Sequence, residues 1–127
     1  TRVSVNPANP DVMLPGSEVI ILNNIPDREG THNIGVIRFA PDGTFYLGVG
    51  DGASPSFVDA DAFGAQDLNN IRGKILRMWP DGSAPADNPF YDGTDSIRSK
   101  VWCYGVRNPY RYSLHPVTKI PYISDVG

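Results

Sequence analysis

The chain is 127 residues long and 40% hydrophobic, which suits one folded domain burying roughly two-thirds of its unfolded surface and excludes a disordered tail. Its net charge is −3 and its Lys and Arg residues are scattered, so the clustered cations that a nucleic-acid backbone requires are missing. No stretch approaches the ~18 to 20 apolar residues of a membrane span, and Thr1 to Pro10 lacks the layout of a signal peptide, so export would need a signal upstream.

Gly 13 and Pro 12 together make about a fifth of the chain, which demands frequent turns and short segments between them. Brief runs rich in β-branched and aromatic residues are predicted as strands at Glu18 to Leu22, Val36 to Phe39, Thr44 to Val49, Ile75 to Trp79, Val101 to Tyr104, Arg111 to Leu114 and Ile120 to Ser124. Only Asp67 to Met78 approaches a helical repeat, and Gly73 interrupts it. Pro41-Asp42-Gly43, Pro80-Asp81-Gly82 and Pro116 to Lys119 supply the turns, because proline presets φ while Asp and Gly allow the tight return.

Two hairpins can be overlaid. Phe39-Ala40-Pro41 leads to Tyr46 and on to Gly50-Asp51, as Leu114-His115-Pro116 leads to Tyr122 and on to Ser124-Asp125. The turn prolines lie 39 and 36 residues apart, a spacing within the range of propeller blades. Two long polar stretches, Asp51 to Gln66 and Asp81 to Arg98, have the length of binding loops. The carboxylates of the first fail the EF-hand pattern and read as a solvated acidic loop.

Few residues can carry chemistry. Cys103, the one cysteine, lies in the apolar run VWCYG and reads as a small buried hydrophobe. His115 precedes a turn proline and reads as a turn residue. His32 opens a strand whose hairpin partner ends in Gly50-Asp51-Gly52, and in an antiparallel hairpin those two positions lie at the same end. An imidazole oriented by a carboxylate is a general base at neutral pH; a structural role for His32 stays open on the residues alone. Arg107-Asn108 follows a strand, where a forked permanent cation suits a carbonyl oxygen or a carboxylate. Arg72, Lys74 and Arg77 read as a solvated polar face.

The words HNIGVIRFAPDGTFYLGVGDG, then AQDLNNIRGKILRMWPDGSAPADNPF, then VWCYGVRNPYRYSLHPVTKIPYISDVG resemble, in order and spacing, the glucose/sorbosone dehydrogenase family. Its members are soluble quinoproteins that oxidise aldoses with pyrroloquinoline quinone and calcium on a six-bladed β-propeller. The resemblance implies an all-β fold in which residues 1–127 are a fragment of one propeller domain, about three blades or half of the ring, with no second domain. It implies that His32 takes the proton of the sugar's anomeric hydroxyl while hydride passes to the quinone, and that Asp51 orients His32. It further implies that Arg107 bonds a quinone oxygen, that Asn108 helps hold the cofactor and that the Gly127 carbonyl ligates calcium.

Also implied are an aldose substrate, an external electron acceptor and a periplasmic or secreted location. Alone, these residues would be inactive and prone to self-association, since the family's basic clamp for the quinone carboxylates is not among them. Ile34 stands where members carry glycine, and Tyr110-Arg111 where glucose oxidisers carry Gln-Gly. These departures motivate an alternative, a non-catalytic propeller of the Hedgehog-interacting type that binds carbohydrate or protein.

Overall fold

The computed structural model describes residues 1–27 and 30–127, so Arg28 and Glu29, shortly before His32 in sequence, lie outside the described residues. A short hairpin of β1 (Val5–Asn6) and β2 (Asn9–Met13) comes first. An antiparallel meander follows, in which β3 (Ile34–Phe39), β4 (Phe45–Val49), β5 (Lys74–Met78) and β6 (Val101–Tyr104) lie side by side in chain order. A second hairpin, β7 (Arg111–Leu114) with β8 (Pro121–Ser124), closes the chain. The all-β antiparallel reading holds. Of the three expected blades, one four-stranded sheet is complete among the described residues, and the other two sheets have two strands each.

Two-residue periodicity builds the core. Phe45, Leu47 and Val49 of β4 face the same way as Leu76 and Met78 of β5 and pack with Ile71 and Val101, beneath the partly buried Ile21, Leu22, Ile25 and Phe90. Tyr46 and Ile75 face the other way and are covered by Tyr112, Leu114 and Ile123 of the last hairpin. The Tyr112 hydroxyl donates to the Val36 carbonyl at 2.8 Å and fixes that hairpin to β3. Flanked by strands on both sides, β4 and β5 are buried at every residue. Each fully buried aliphatic side chain there contributes about 1.5–3 kcal/mol.

Three sequence expectations change. Glu18 to Leu22 is no strand: only Val19 bridges, to Arg2, and Ile21 and Leu22 instead plug the core from irregular chain. The β1–β2 hairpin was not foreseen because its exposed residues carry no apolar alternation and include prolines, as edge strands tolerate. The two long loops are also more ordered than loops, holding a 3₁₀ helix (Ala60–Gln66) and a one-turn helix α1 (Ile97–Lys100).

The solvated reading of Arg72, Lys74 and Arg77 is corrected too. Lys74 and Arg77 are buried, and Arg72 is half-buried and paired with Asp61 at 3.1 Å. The Arg77 guanidinium meets Asp42 at 2.8 Å and Asp87 at 2.9 Å and lies over the Trp102 ring at 5.5 Å. Asn88, buried beside it, donates to the carbonyls of Arg77 and Ser99, both at 2.9 Å. One cation thereby ties the Pro41-Asp42-Gly43 turn and the Asp87-Asn88 loop to the sheet. Periodicity could not show this, because a strand covered on both faces buries its polar side chains as well, provided each finds partners.

Candidate functional site

Closing the β3–β4 hairpin brings its two ends together. Gly50 N–H donates to the Asn33 carbonyl at 3.0 Å and Gly52 N–H to the His32 carbonyl at 3.3 Å. His32 sits in the left-handed region, with φ 51°, which costs a non-glycine residue about 1 kcal/mol or more. That turn aims its ring at Asp51: Nδ1 and Oδ1 are 2.9 Å apart, with both residues buried and His32 8% exposed. The approach expected from hairpin geometry is what the structure shows.

Asp51 is held on all sides. Its Oδ1 also accepts from Ala53 N–H at 2.9 Å, its carbonyl accepts from Arg72 Nη1 at 2.7 Å, and its own N–H donates to the Arg107 carbonyl at 2.8 Å. This last bond joins the His32–Asp51 pair to the Arg107-Asn108 segment. There the backbone N–H groups of Arg107 and Asn108 both donate to the Asp125 carboxylate, at 3.0 and 2.7 Å, while Arg107 Nη1 donates to the Val126 carbonyl at 3.2 Å.

Asp125, which fixes the Arg107-Asn108 backbone through these bonds, was missed by motif reading. The signal was present in the overlaid hairpins, which align Gly50-Asp51 with Ser124-Asp125. Both carboxylates stand just past a strand and each receives two donors.

Asp51 and Arg107 line one cleft of about 670 Å³, together with Ser54, Asp59, Phe63 and Gln66. His32 is not among its lining residues, and its Nδ1 contacts Asp51, which is. Much of the acidic loop is exposed as expected, while Asp51 is buried, Asp59 caps the 3₁₀ helix by accepting from Asp61 N–H at 3.0 Å, and Asp61 pairs with Arg72. Gly127 is exposed past β8, and Asn108 accepts through its carbonyl from Tyr110 and Val126 N–H.

The remaining candidates stand apart from the cleft. His115 Nδ1 accepts from Val117 and Thr118 N–H at 3.2 and 3.1 Å and organises the β7–β8 turn. Cys103 is half-buried against the second core face, and burial pushes its thiol above the ordinary range. Ile34 is 44% exposed and does not line the cleft. The close approach at that turn belongs to Gly35, where an added Cβ would stand 2.6 Å from the Pro109 carbonyl. No group of three or more His, Cys, Asp or Glu side chains able to hold a metal occurs among the described residues, and none of their helices is long and apolar enough to cross a membrane.

Known proteins are similar to this chain in sequence and fold. The aldose sugar dehydrogenase YliI of Escherichia coli K12 is 35% identical over 63 residues, half of this chain and 17% of its own length. The HIPL2 protein of Arabidopsis thaliana is 37% identical over 95 residues, 62% of this chain and 13% of its own. The solved PQQ-bound aldose sugar dehydrogenase of Streptomyces coelicolor superposes with a TM-score of 0.72 at 30% identity, over 97% of this chain and 32% of that one. The chain thus spans about a third or less of each of these relatives. The family described as Glucose / Sorbosone dehydrogenase matches residues 2–127, and the chain belongs to it.

Proposed function

We propose that the full-length protein oxidises the anomeric carbon of an aldose, using pyrroloquinoline quinone. The observation that carries this reading is the buried 2.9 Å contact between His32 Nδ1 and Asp51 Oδ1. An ionised carboxylate only accepts, so the proton sits on Nδ1 and Nε2 is left as the basic nitrogen. Nε2 takes the proton of the C1 hydroxyl, and the electron pair freed on oxygen forms the carbonyl as C1 gives up hydride. Asp51 keeps the ring in this tautomer and stabilises the positive charge it acquires. Pyrroloquinoline quinone, when bound, supplies the two-electron acceptor for that hydride.

The residues present fit such a group. Arg107 lines the cleft with Asp51, and Asn108 follows it with its backbone fixed by Asp125. On either side of His32, the buried Thr31 Oγ1 and Asn33 Oδ1 have no partner among the described residues, as expected of a site that a polar ligand or water completes. Calcium is another matter. A hard cation takes about six to eight oxygens, and among the described residues the Gly127 carbonyl joins no acidic cluster, so this segment alone does not make a calcium site.

The same reading places the four-stranded sheet as one blade of a six-bladed ring and the terminal hairpins as parts of its neighbours. Their exposed edges favour self-association of the isolated segment. The protein would act in the periplasm or outside the cell and pass electrons to an external acceptor. Of the departures that motivated a binding-module reading, neither Ile34 nor Tyr110-Arg111 lines the cleft. The test is dye-linked oxidation of aldoses by the full-length protein with and without added quinone. Quinone-dependent turnover is expected, and none with any aldose would refute the reading.

A further inference from the structure

Beneath the cleft lies an ammonium that the proposed chemistry does not use. Lys74 is 0% exposed, yet no carboxylate stands within ion-pair distance of its Nζ among the described residues. Three backbone carbonyls surround it instead. Nζ donates to Gly64 O and Ala65 O, each at 3.0 Å, and to Arg72 O. The first two are the C-terminal carbonyls of the 3₁₀ helix, whose residues Ala62, Phe63, Ala65 and Gln66 form a wall of the cleft. A cation is favourable at that end of a helix, where the carbonyl dipoles point outward.

Each of the three carbonyls belongs to a segment that leads to the site. Ala65 O also accepts from Gly105 N–H at 3.0 Å, two residues before Arg107. Arg72 sends its guanidinium to the Asp51 carbonyl and to the Asp61 carboxylate. The neighbouring Gly73 N–H donates to the Gly50 carbonyl at 3.0 Å. The ammonium is therefore the point where the helix wall, the strand end bearing Arg107 and the loop bearing Asp51 meet.

We propose that Lys74 is a positioning residue whose buried ammonium, bonded to Gly64, Ala65 and Arg72 carbonyls, fixes the 3₁₀-helix wall of the cleft against the segments that carry Asp51 and Arg107. This rests on the proposed oxidation only for its catalytic consequence. Without the ammonium, three carbonyls turned to one point repel each other and the junction opens. The packed sheet beneath, held by Leu47, Leu76 and Met78, keeps its own bonds.

The test compares full-length wild type, Lys74→Met and Lys74→Ala by amide hydrogen exchange. In Lys74→Met, exchange speeds up about tenfold or more at Asp67 and at Gly105, whose N–H groups donate to Gly64 O and Ala65 O, while β4 and β5 amides keep their protection. In Lys74→Ala, added propylammonium, which has the shape of the missing side-chain end, restores protection at Gly105. Catalytically, kcat for aldose oxidation falls about 100-fold with a much smaller change in KM, as for a misplacement near 1 Å.

Unchanged exchange at Asp67 and Gly105, loss of protection spread evenly over the sheet, or absence of propylammonium rescue would overturn the proposal. Failure of both variants to fold would overturn it as well, since Lys74 would then support the whole core. If wild type oxidises no aldose, the functional reading falls while the exchange test still decides the role of Lys74.

Discussion

Replacing Gly50 by alanine probes how the site is assembled. Gly50 lies between β4 and Asp51, and a Cβ built there would stand 2.0 Å from the His32 carbonyl oxygen and 2.4 Å from its carbon. Ordinary contact begins near 3.4 Å, so the two chain ends must separate by more than about 1 Å. The obstacle is backbone, which cannot swing aside as a side-chain tip can. Separation on that scale takes the His32–Asp51 contact from 2.9 Å to beyond hydrogen-bonding range. It also weakens the Gly50–Asn33 and Gly52–His32 bonds that close the hairpin.

The expected costs for Gly50→Ala are about 1–3 kcal/mol of stability from overpacking. In addition, kcat should fall about 100-fold from misplacement of the base. Urea unfolding and steady-state aldose oxidation on full-length protein measure the two separately. A folded Gly50→Ala protein with kcat within twofold of wild type would refute the reasoning, since the base would then not depend on this close approach.

Other consequences follow from the buried groups. Arg77→Met strips partners from Asp42, Thr44, Asp87 and Asn88 and leaves buried polar atoms unpaired; urea titration should show a loss of about 2–3 kcal/mol. Burial brings the Lys74 ammonium down to about 8 against an ordinary 10.5, with Asp67 opposing the shift. Between those values the unfolded chain binds more protons than the folded one, so stability should rise from about pH 8 to about 10.5, by at most about 3 kcal/mol. The Lys74→Met variant should lack that rise. Hydrogen bonds from Ser96, Thr94 and Ser99 hold the Asp92 carboxyl well below its ordinary 3.8, so its contribution is complete above about pH 4 and disappears as pH falls further. Acid titration of Asp92→Asn beside wild type checks this, and the variant should show the shallower loss.

Turn chemistry and β-branched runs were enough to place β3 to β8 within a residue or two, because such segments have few other ways to satisfy their backbones. The hairpin Pro41-Asp42-Gly43 was enough to bring His32 and Asp51 to one end, since an antiparallel pair leaves no other arrangement. What stayed hidden depends on three-dimensional burial. Lys74 and Arg77 stand three apart on opposite faces of β5, and only the covering of both sheet faces reveals that they are interior. Asp125 carries no motif of its own, and its role appears only when the Arg107-Asn108 backbone is seen to donate to it. The N-terminal hairpin is exposed and without apolar alternation, so periodicity had nothing to register.

The most direct test of the central claim is kcat/KM for aldose oxidation by the quinone-loaded full-length protein, measured side by side for wild type, His32→Ala and Asp51→Asn. The His32–Asp51 pair as base predicts a fall of at least about 100-fold for each variant, in line with general-base catalysis. Turnover in His32→Ala at the wild-type rate would contradict it.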